Sequence, residues 1–185
     1  MSVLVDSCEW DSEVGSGFLY GDSGFNTSFG QSFFNPLSDK NITSCKFDIK
    51  KYLVPTGNVY AKLYSHSGTY GTDSVPVGGA LAVSDPIDIS TLIARELVEF
   101  TFSTTYKMLK DTHYVIQAEY SNGDSDSMNL LQMFVGSIPH DGNVSRLTPG
   151  GWVGVAGDTA FYVYGETAAT LSNISSISNI SSITL

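Results

Sequence analysis

Histidine is the side chain best suited to move protons or bind a metal near neutral pH, and this chain has His66, His113 and His140. They fall on separate stretches of sequence without the spacing of a metal-ligand set. His140-Asp141 sits in a turn and supplies half of a catalytic triad on paper. Serine is so frequent here that a third partner can always be found, so an ordinary polar loop explains the pair as well. No Gly-x-Ser-x-Gly nucleophile elbow occurs. Gly150-Gly151-Trp152-Val153-Gly154-Val155-Ala156-Gly157 lacks the Lys-Ser/Thr ending of a phosphate loop and reads as a turn with a bulged strand. Asn122-Gly123-Asp124-Ser125-Asp126-Ser127 offers Asp124 and Asp126 to a structural calcium, but no glutamate closes an EF-hand loop, and a plain solvated turn accounts for it too. These residues predict a non-enzymatic protein with no cofactor beyond that calcium.

Aromatic side chains are the better ligand-facing candidates. Tyr60 and Tyr64 share the polar face of one predicted strand, Tyr162 and Tyr164 that of another, and Trp152 lies in the glycine-rich stretch. Sugar C–H groups stack on such rings while neighbouring Asn and Asp take the hydroxyls. Aromatic cross-strand pairs that only stabilise a sheet would look the same in sequence.

Chemistry of this kind has to be positioned by a fold, and composition bounds it. The 185 residues suffice for one domain with a real core. At 42% hydrophobic the chain is no disordered polymer. Its 9 basic and 19 acidic residues give a net charge of -10, which argues against nucleic-acid binding. The start, Met1-Ser2-Val3-Leu4-Val5-Asp6-Ser7, has neither the basic nor the long apolar region of a signal peptide. No apolar run is long enough to span a membrane as a helix, so no membrane insertion is expected. Cys8 and Cys45 make one bridge or two free thiols, and free thiols fit better.

Period-two alternation dominates the chain. Cys45, Phe47 and Ile49 point one way, with Lys46, Asp48 and Lys50 opposite. The same pattern holds for Val59, Ala61 and Leu63; for Val98, Phe100 and Phe102; for Tyr114, Ile116, Ala118 and Tyr120; for Leu131, Met133 and Val135; and for Phe161 and Val163. Weaker strands fit residues 31–34, 80–83 and 152–155. Turn sequences such as Pro55-Thr56-Gly57 and Ser121-Asn122-Gly123-Asp124 separate them. Residues 90–96 make at most a short helical turn, capped by Asp88 or Ser90. The prediction is an all-β, antiparallel two-sheet β-sandwich of jelly-roll type, with an N-terminal arm and an extended C-terminal tail.

Three zones result. Residues 1–28 are a Gly-, Ser- and Asp-rich leader that packs as an irregular arm or a first strand. Residues 29–166 form the sandwich. Residues 167–185 repeat Ser-Asn-Ile-Ser-Ser-Ile in tandem, placing Leu171, Ile174, Ile177, Ile180 and Ile183 at every third position. Period three matches neither a helix nor a simple strand. So short a segment buries nothing alone; it either docks on a partner or on copies of itself, or stays a sticky low-complexity end.

The segments Gly30-Gln31-Ser32-Phe33-Phe34, Ile42-Thr43-Ser44-Cys45-Lys46-Phe47-Asp48-Ile49-Lys50-Lys51 and Pro55-Thr56-Gly57-Asn58-Val59-Tyr60-Ala61-Lys62-Leu63-Tyr64 carry a resemblance, as do Leu81-Ala82-Val83-Ser84-Asp85, Val98-Glu99-Phe100-Thr101-Phe102-Ser103, Tyr114-Val115-Ile116 and Phe161-Tyr162-Val163-Tyr164-Gly165. In this order they resemble the jelly-roll modules labelled choice-of-anchor domains, found in bacterial and archaeal surface proteins and in phage structural proteins. The likeness covers residues 29–165 and rests on strand patterns; the family has no shared catalytic residues to carry over. The repeats that follow look like the C-terminal repeats of phage virion proteins, which fold in the host cytoplasm and need no signal.

The resemblance implies a non-enzymatic virion subunit, a capsid decoration or a fibre or projection. Its partners would be other virion proteins and itself, with a homotrimer as the natural form for repeated strands around a threefold axis. The alternative is a carbohydrate-binding module at a cell surface or outside the cell, which would use the tyrosines and Trp152 to hold surface glycans.

Overall fold

Strands form where apolar residues alternate with polar ones and one face can be buried. The computed structural model describes residues 1–9, 15–20, 27–92, 95–121, 130–136 and 139–168. In chain order the strands are β1 (Ser2–Cys8), β2 (Gly15–Tyr20), β3 (Ser28–Asn35), β4 (Lys40–Tyr52), β5 (Asn58–Ser67), β6 (Val75–Val83), β7 (Ile87–Asp88) and β8 (Glu96–Thr101), then β9 (Lys107–Met108), β10 (Thr112–Ser121), β11 (Leu130–Gly136), β12 (Val144–Thr148), β13 (Gly151–Val155), β14 (Asp158–Thr159) and β15 (Phe161–Thr167). Among the described residues the one helical turn, η1 (Ile89–Thr91), is a 3-10 turn capped by the Asp88 carboxylate, which accepts from Ser90 N–H. No helix among the described residues is long and apolar enough to cross a membrane.

All pairings are antiparallel, and the strands make two sheets, so the chain is the antiparallel β-sandwich that the alternation predicts. The first sheet is organised around β4. Along one side β4 pairs with β15 and then with β11; along the other it pairs with β9 and β8. β1 adds to β15, while β2 and β14 add to β11. The second sheet runs β13-β12-β3-β10-β5-β6, with β7 also on β5. Within the expected N-terminal arm, Ser2–Cys8 and Gly15–Tyr20 are strands paired to β15 and β11.

Among the described side chains, the residues picked by period two fill the space between the sheets; those of Leu131, Met133 and Val135 lie outside them. Cys45, Phe47, Ile49, Val59, Ala61, Leu63, Phe100, Ile116, Ala118, Phe161 and Val163 are all fully buried there. Phe47 and Phe100 meet edge to face, ring centres 6.2 Å apart, across the β4–β8 pair. Cys8 and Cys45 form no disulfide with each other, and burial pushes the Cys45 thiol well up. Gln31 is buried between the sheets as well. Its Nε2 donates to Asp158 Oδ1 (2.6 Å) and its Oε1 accepts from Thr159 N–H (3.0 Å), so it ties β3 to β14 on the facing sheet.

The second sheet is covered on its other face too. Across it lie Ser28, Ser32, Val115, Gln117 and Ser145, all fully buried. The sheet curls so that its outer strands β6 and β13 touch, and the 68–74 loop between β5 and β6 folds over the concave side. A Cβ at Gly154 would stand 2.8 Å from Asp73 Cα, so only glycine admits this approach. The polar groups enclosed there pair with one another: Ser28 Oγ donates to Gln117 Oε1 (3.3 Å), and Gln117 Nε2 donates to Ser145 Oγ (2.5 Å).

Phe47 tests the packing directly. Phe47→Ala should cost about 3–5 kcal/mol in urea unfolding, whereas Leu97→Ala, at a site 48% exposed, should change stability by about 0.5 kcal/mol or less. Equal effects would mean that the sheets do not pack through this face of β4.

Candidate functional site

The covering loop builds one wall of a cleft. Gly68 and Gly71 take positive φ (84° and 78°), which lets residues 68–74 turn tightly. Thr69 C=O accepts from the N–H groups of Thr72 and Asp73, both 3.1 Å away. Asn143, 1% exposed, clamps the loop: its Oδ1 accepts from Ser74 N–H (3.0 Å) and its Nδ2 donates to Ser74 C=O (3.2 Å). Its Asn-x-Ser motif is therefore structural in the fold and not an accessible glycan acceptor.

So held, the loop lays Tyr70 on His113, with ring centres 4.2 Å apart and planes 34° apart. His113 is the direct cross-strand partner of Phe34, whose ring lies 4.8 Å away. His66 stands 5.4 Å from His113 and 6.0 Å from Tyr70, and its Nε2 lies 2.9 Å from Ser74 Oγ. Burial and the neighbouring His113 push the His66 pKa below its ordinary value, with Asp73 opposing them.

On the opposite side stands His140. Its Nε2 lies 3.2 and 3.3 Å from the two Asp6 carboxylate oxygens, and its Nδ1 accepts from Gly142 N–H (3.0 Å). The acceptor role of Nδ1 fixes the proton on Nε2, which donates to Asp6. Both nitrogens are engaged, so the ring has no lone pair free to take a proton from a nucleophile. Its partner is Asp6, from β1, and not the adjacent Asp141. Asp6 also accepts from Ser7 N–H (2.8 Å) and Phe34 N–H (3.0 Å), which joins the edge of the first sheet to the second. Behind His140, Asp158 accepts from its backbone N–H (3.0 Å).

Between these groups lies a cleft of about 390 Å³, lined by Asp6, Phe34, Pro36, Tyr70, His113, His140 and Asp141. Burial, with Asp6, Asp141 and Asp158 nearby, pushes the Tyr70 phenol strongly up. No Lys or Arg lines the cleft, so its field is negative. Among the described residues, no group of three or more His, Cys, Asp and Glu side chains is placed to hold a metal ion.

The aromatics singled out in the sequence divide between the two sheets. Tyr60, Tyr64 and Trp152 share the concave face of the second sheet. Tyr64 meets Trp152 edge to face at 5.8 Å and is only 8% exposed, so little of its ring face is open to a ligand. Burial and Glu119 push its phenol up to about 12, and Glu119 also pairs with Lys62. Tyr162 and Tyr164 lie on the other sheet, facing away from the core; Lys46 sits 5.4 Å over the Tyr164 ring. The five residues therefore form no single platform. Asp124 and Asp126, and the tail residues Leu171, Ile174, Ile177, Ile180 and Ile183, lie outside the described residues. Sequence reasoning missed Asp6, Phe34 and Tyr70 as cleft residues; a tyrosine between glycines in a Gly68–Gly71 turn was the available signal.

A second exposed feature lies at the tip of the β4–β5 connection. Tyr52, Leu53 and Val54 are 41%, 58% and 75% exposed, and Leu53 has φ 54°. That conformation is strained for a non-glycine residue.

No family model matches the chain, and no curated protein or solved structure is significantly similar to it.

Two outcomes follow from the site geometry. An unfolded histidine takes its proton near pH 6.5, whereas folded His66 takes it only at lower pH. Stability is therefore full above about pH 6.5 and falls as pH drops through the window below it. The melting temperature should show this fall, His66→Gln should flatten it, and an NMR titration of His66 at or above the ordinary value would refute it. Asp6→Ala removes the acceptor shared by His140, Ser7 and Phe34 and should cost about 1–3 kcal/mol in urea unfolding. A loss no larger than that of an exposed aspartate would show that the Asp6–His140 link does not join the sheets.

Proposed function

We propose that the chain is a non-enzymatic virion subunit, a capsid decoration or a fibre or projection, built on a β-sandwich of the choice-of-anchor kind. One observation carries the reading. Ser2 pairs with Glu166, and Lys40 pairs with Thr167, so the start of β1, the end of β15 and the start of β4 lie side by side at one end of the sheet. β4 then runs 13 residues, roughly 40 Å at strand rise, to the exposed Tyr52-Leu53-Val54 tip at the other end. The repeat at 172–183 is joined to the end where β15 finishes. A subunit fixed to a particle through that end would hold its apolar tip outward.

Further support comes from the engaged nitrogens of His140, which fit binding better than proton transfer. The net charge of -10 would keep crowded copies soluble and apart. In this reading the isoleucine repeat joins copies of the chain as a homotrimer or docks them on other virion proteins.

Two measurements test the proposal. Gold-labelled antibody against the sandwich should decorate particles pelleted from the source culture; label confined to cells or to the soluble fraction would overturn it. Light scattering of residues 1–185 should give a trimer that becomes a monomer when the chain stops at Ala168. Monomers in both cases would remove self-assembly through the tail.

A further inference from the structure

The cleft between the 68–74 loop, β3, β10 and residues 139–143 has unused hydrogen-bonding capacity. Among the described residues, the Tyr70 hydroxyl, the His113 ring nitrogens and the exposed Asp141 carboxylate make no hydrogen bond. All three groups line the cleft, beside the ring of Phe34. Its volume of about 390 Å³ lies toward the lower end of the roughly 300–1,000 Å³ of small-molecule sites.

We infer that this cleft binds a neutral saccharide residue, such as the terminal sugar of a glycan. The donors and acceptors decide the class. A sugar hydroxyl both donates and accepts; the carboxylate accepts, and the phenol and the imidazole can do either. Sugar C–H groups pack on aromatic side chains, and Phe34, His113 and Tyr70, packed on one another, line the cleft beside these polar groups. An organic cation such as tetramethylammonium would use the carboxylate and the rings but would offer no acceptor to the phenol O–H and imidazole N–H, whereas a sugar hydroxyl serves donor and acceptor alike. An acidic sugar would meet Asp6 and Asp141 with no Lys or Arg in the lining to offset them. The site is distinct from the five aromatics singled out in the sequence. It also stands whether or not the chain belongs to a particle, because a virion subunit and a free-standing module would use it alike.

The full chain should be applied to a glycan array and titrated with neutral monosaccharides at about 20 mM, enough to populate a millimolar site. Neutral glycans should bind, and the imidazole NMR signals of His113 and His140 should shift. Asp141→Asn, at an exposed position, should weaken binding about tenfold, or 1.4 kcal/mol. Tyr70→Phe should weaken it while keeping the ring stack, and Tyr162→Ala, on the other sheet, should leave it unchanged. The inference fails if no neutral glycan binds and no imidazole signal moves. It fails equally if tetramethylammonium or sialic acid shifts those signals and neutral sugars do not, or if binding depends on Tyr162 and not on Asp141. The particle-labelling experiment can fail or succeed independently of these outcomes.

Discussion

A strand buried on both faces must satisfy its polar side chains without water, and β3 and β10 are in that position. One face packs into the sandwich core through Phe29, Phe33, Ile116 and Ala118. The other carries Ser28, Ser32 and Gln117, each fully buried. Unpaired, each such group would cost about 1–3 kcal/mol; here they bond to Ser145, to the backbone of Asn143 and to one another. Burial of that face follows from the curl of the sheet and from the 68–74 loop laid across it. The same loop forms one wall of the cleft, so the site is a by-product of closing the sheet.

Closure also sets the electrostatics of the site. Asp6 and Asp158 are tied to backbone N–H groups and to His140 or Gln31, which keeps negative charge near the cleft without a basic partner in its lining. His66 and His113 stand close enough that two charges there would repel, and Tyr70 packs against both. Burial and the nearby His113 hold the His66 pKa below its ordinary value, so protonating His66 works against the loop's packing. The His66 contacts that shape the cleft are thus the same ones that lower its pKa.

Sequence periodicity made the sandwich legible wherever inward residues alternate without interruption, as in β4, β5, β8 and β10. It was less informative in β6, where Val-Pro-Val-Gly-Gly-Ala has no clean alternation and the strand follows a curled edge. It also missed β12, which is short and carries Arg146 beside Ser145. The leader looked ambiguous because Gly, Ser and Asp hide β1 and β2, which gain their order from pairing with β15 and β11. The cleft was not legible. His140 meets Gln31 across 109 residues and Asp6 across 134, and no local pattern encodes such distances. The tyrosines chosen for their shared strand faces were read correctly as faces, but which face is covered depends on the 68–74 loop.

The arrangement along β4 constrains how any partner could use this chain. An attachment at the end shared by β1 and β15 leaves the Tyr52-Leu53-Val54 tip at the far end of the strand. The cleft lies nearer the attachment end, because Phe34 and His113 are adjacent to Asn35, whose Nδ2 donates to the carbonyls of Met108 and Leu109 beside the start of β4. A ligand reaching the cleft would thus approach the flank of a projecting subunit, while a contact made by the tip would lie beyond it. Apolar side chains exposed on a strained turn are costly to keep unless something covers them, and Leu53 combines both features. Asp6, on the wall of the cleft, pairs with Val163, which pairs with Cys45, seven residues before Tyr52 along β4, so the cleft and the tip are separate surfaces.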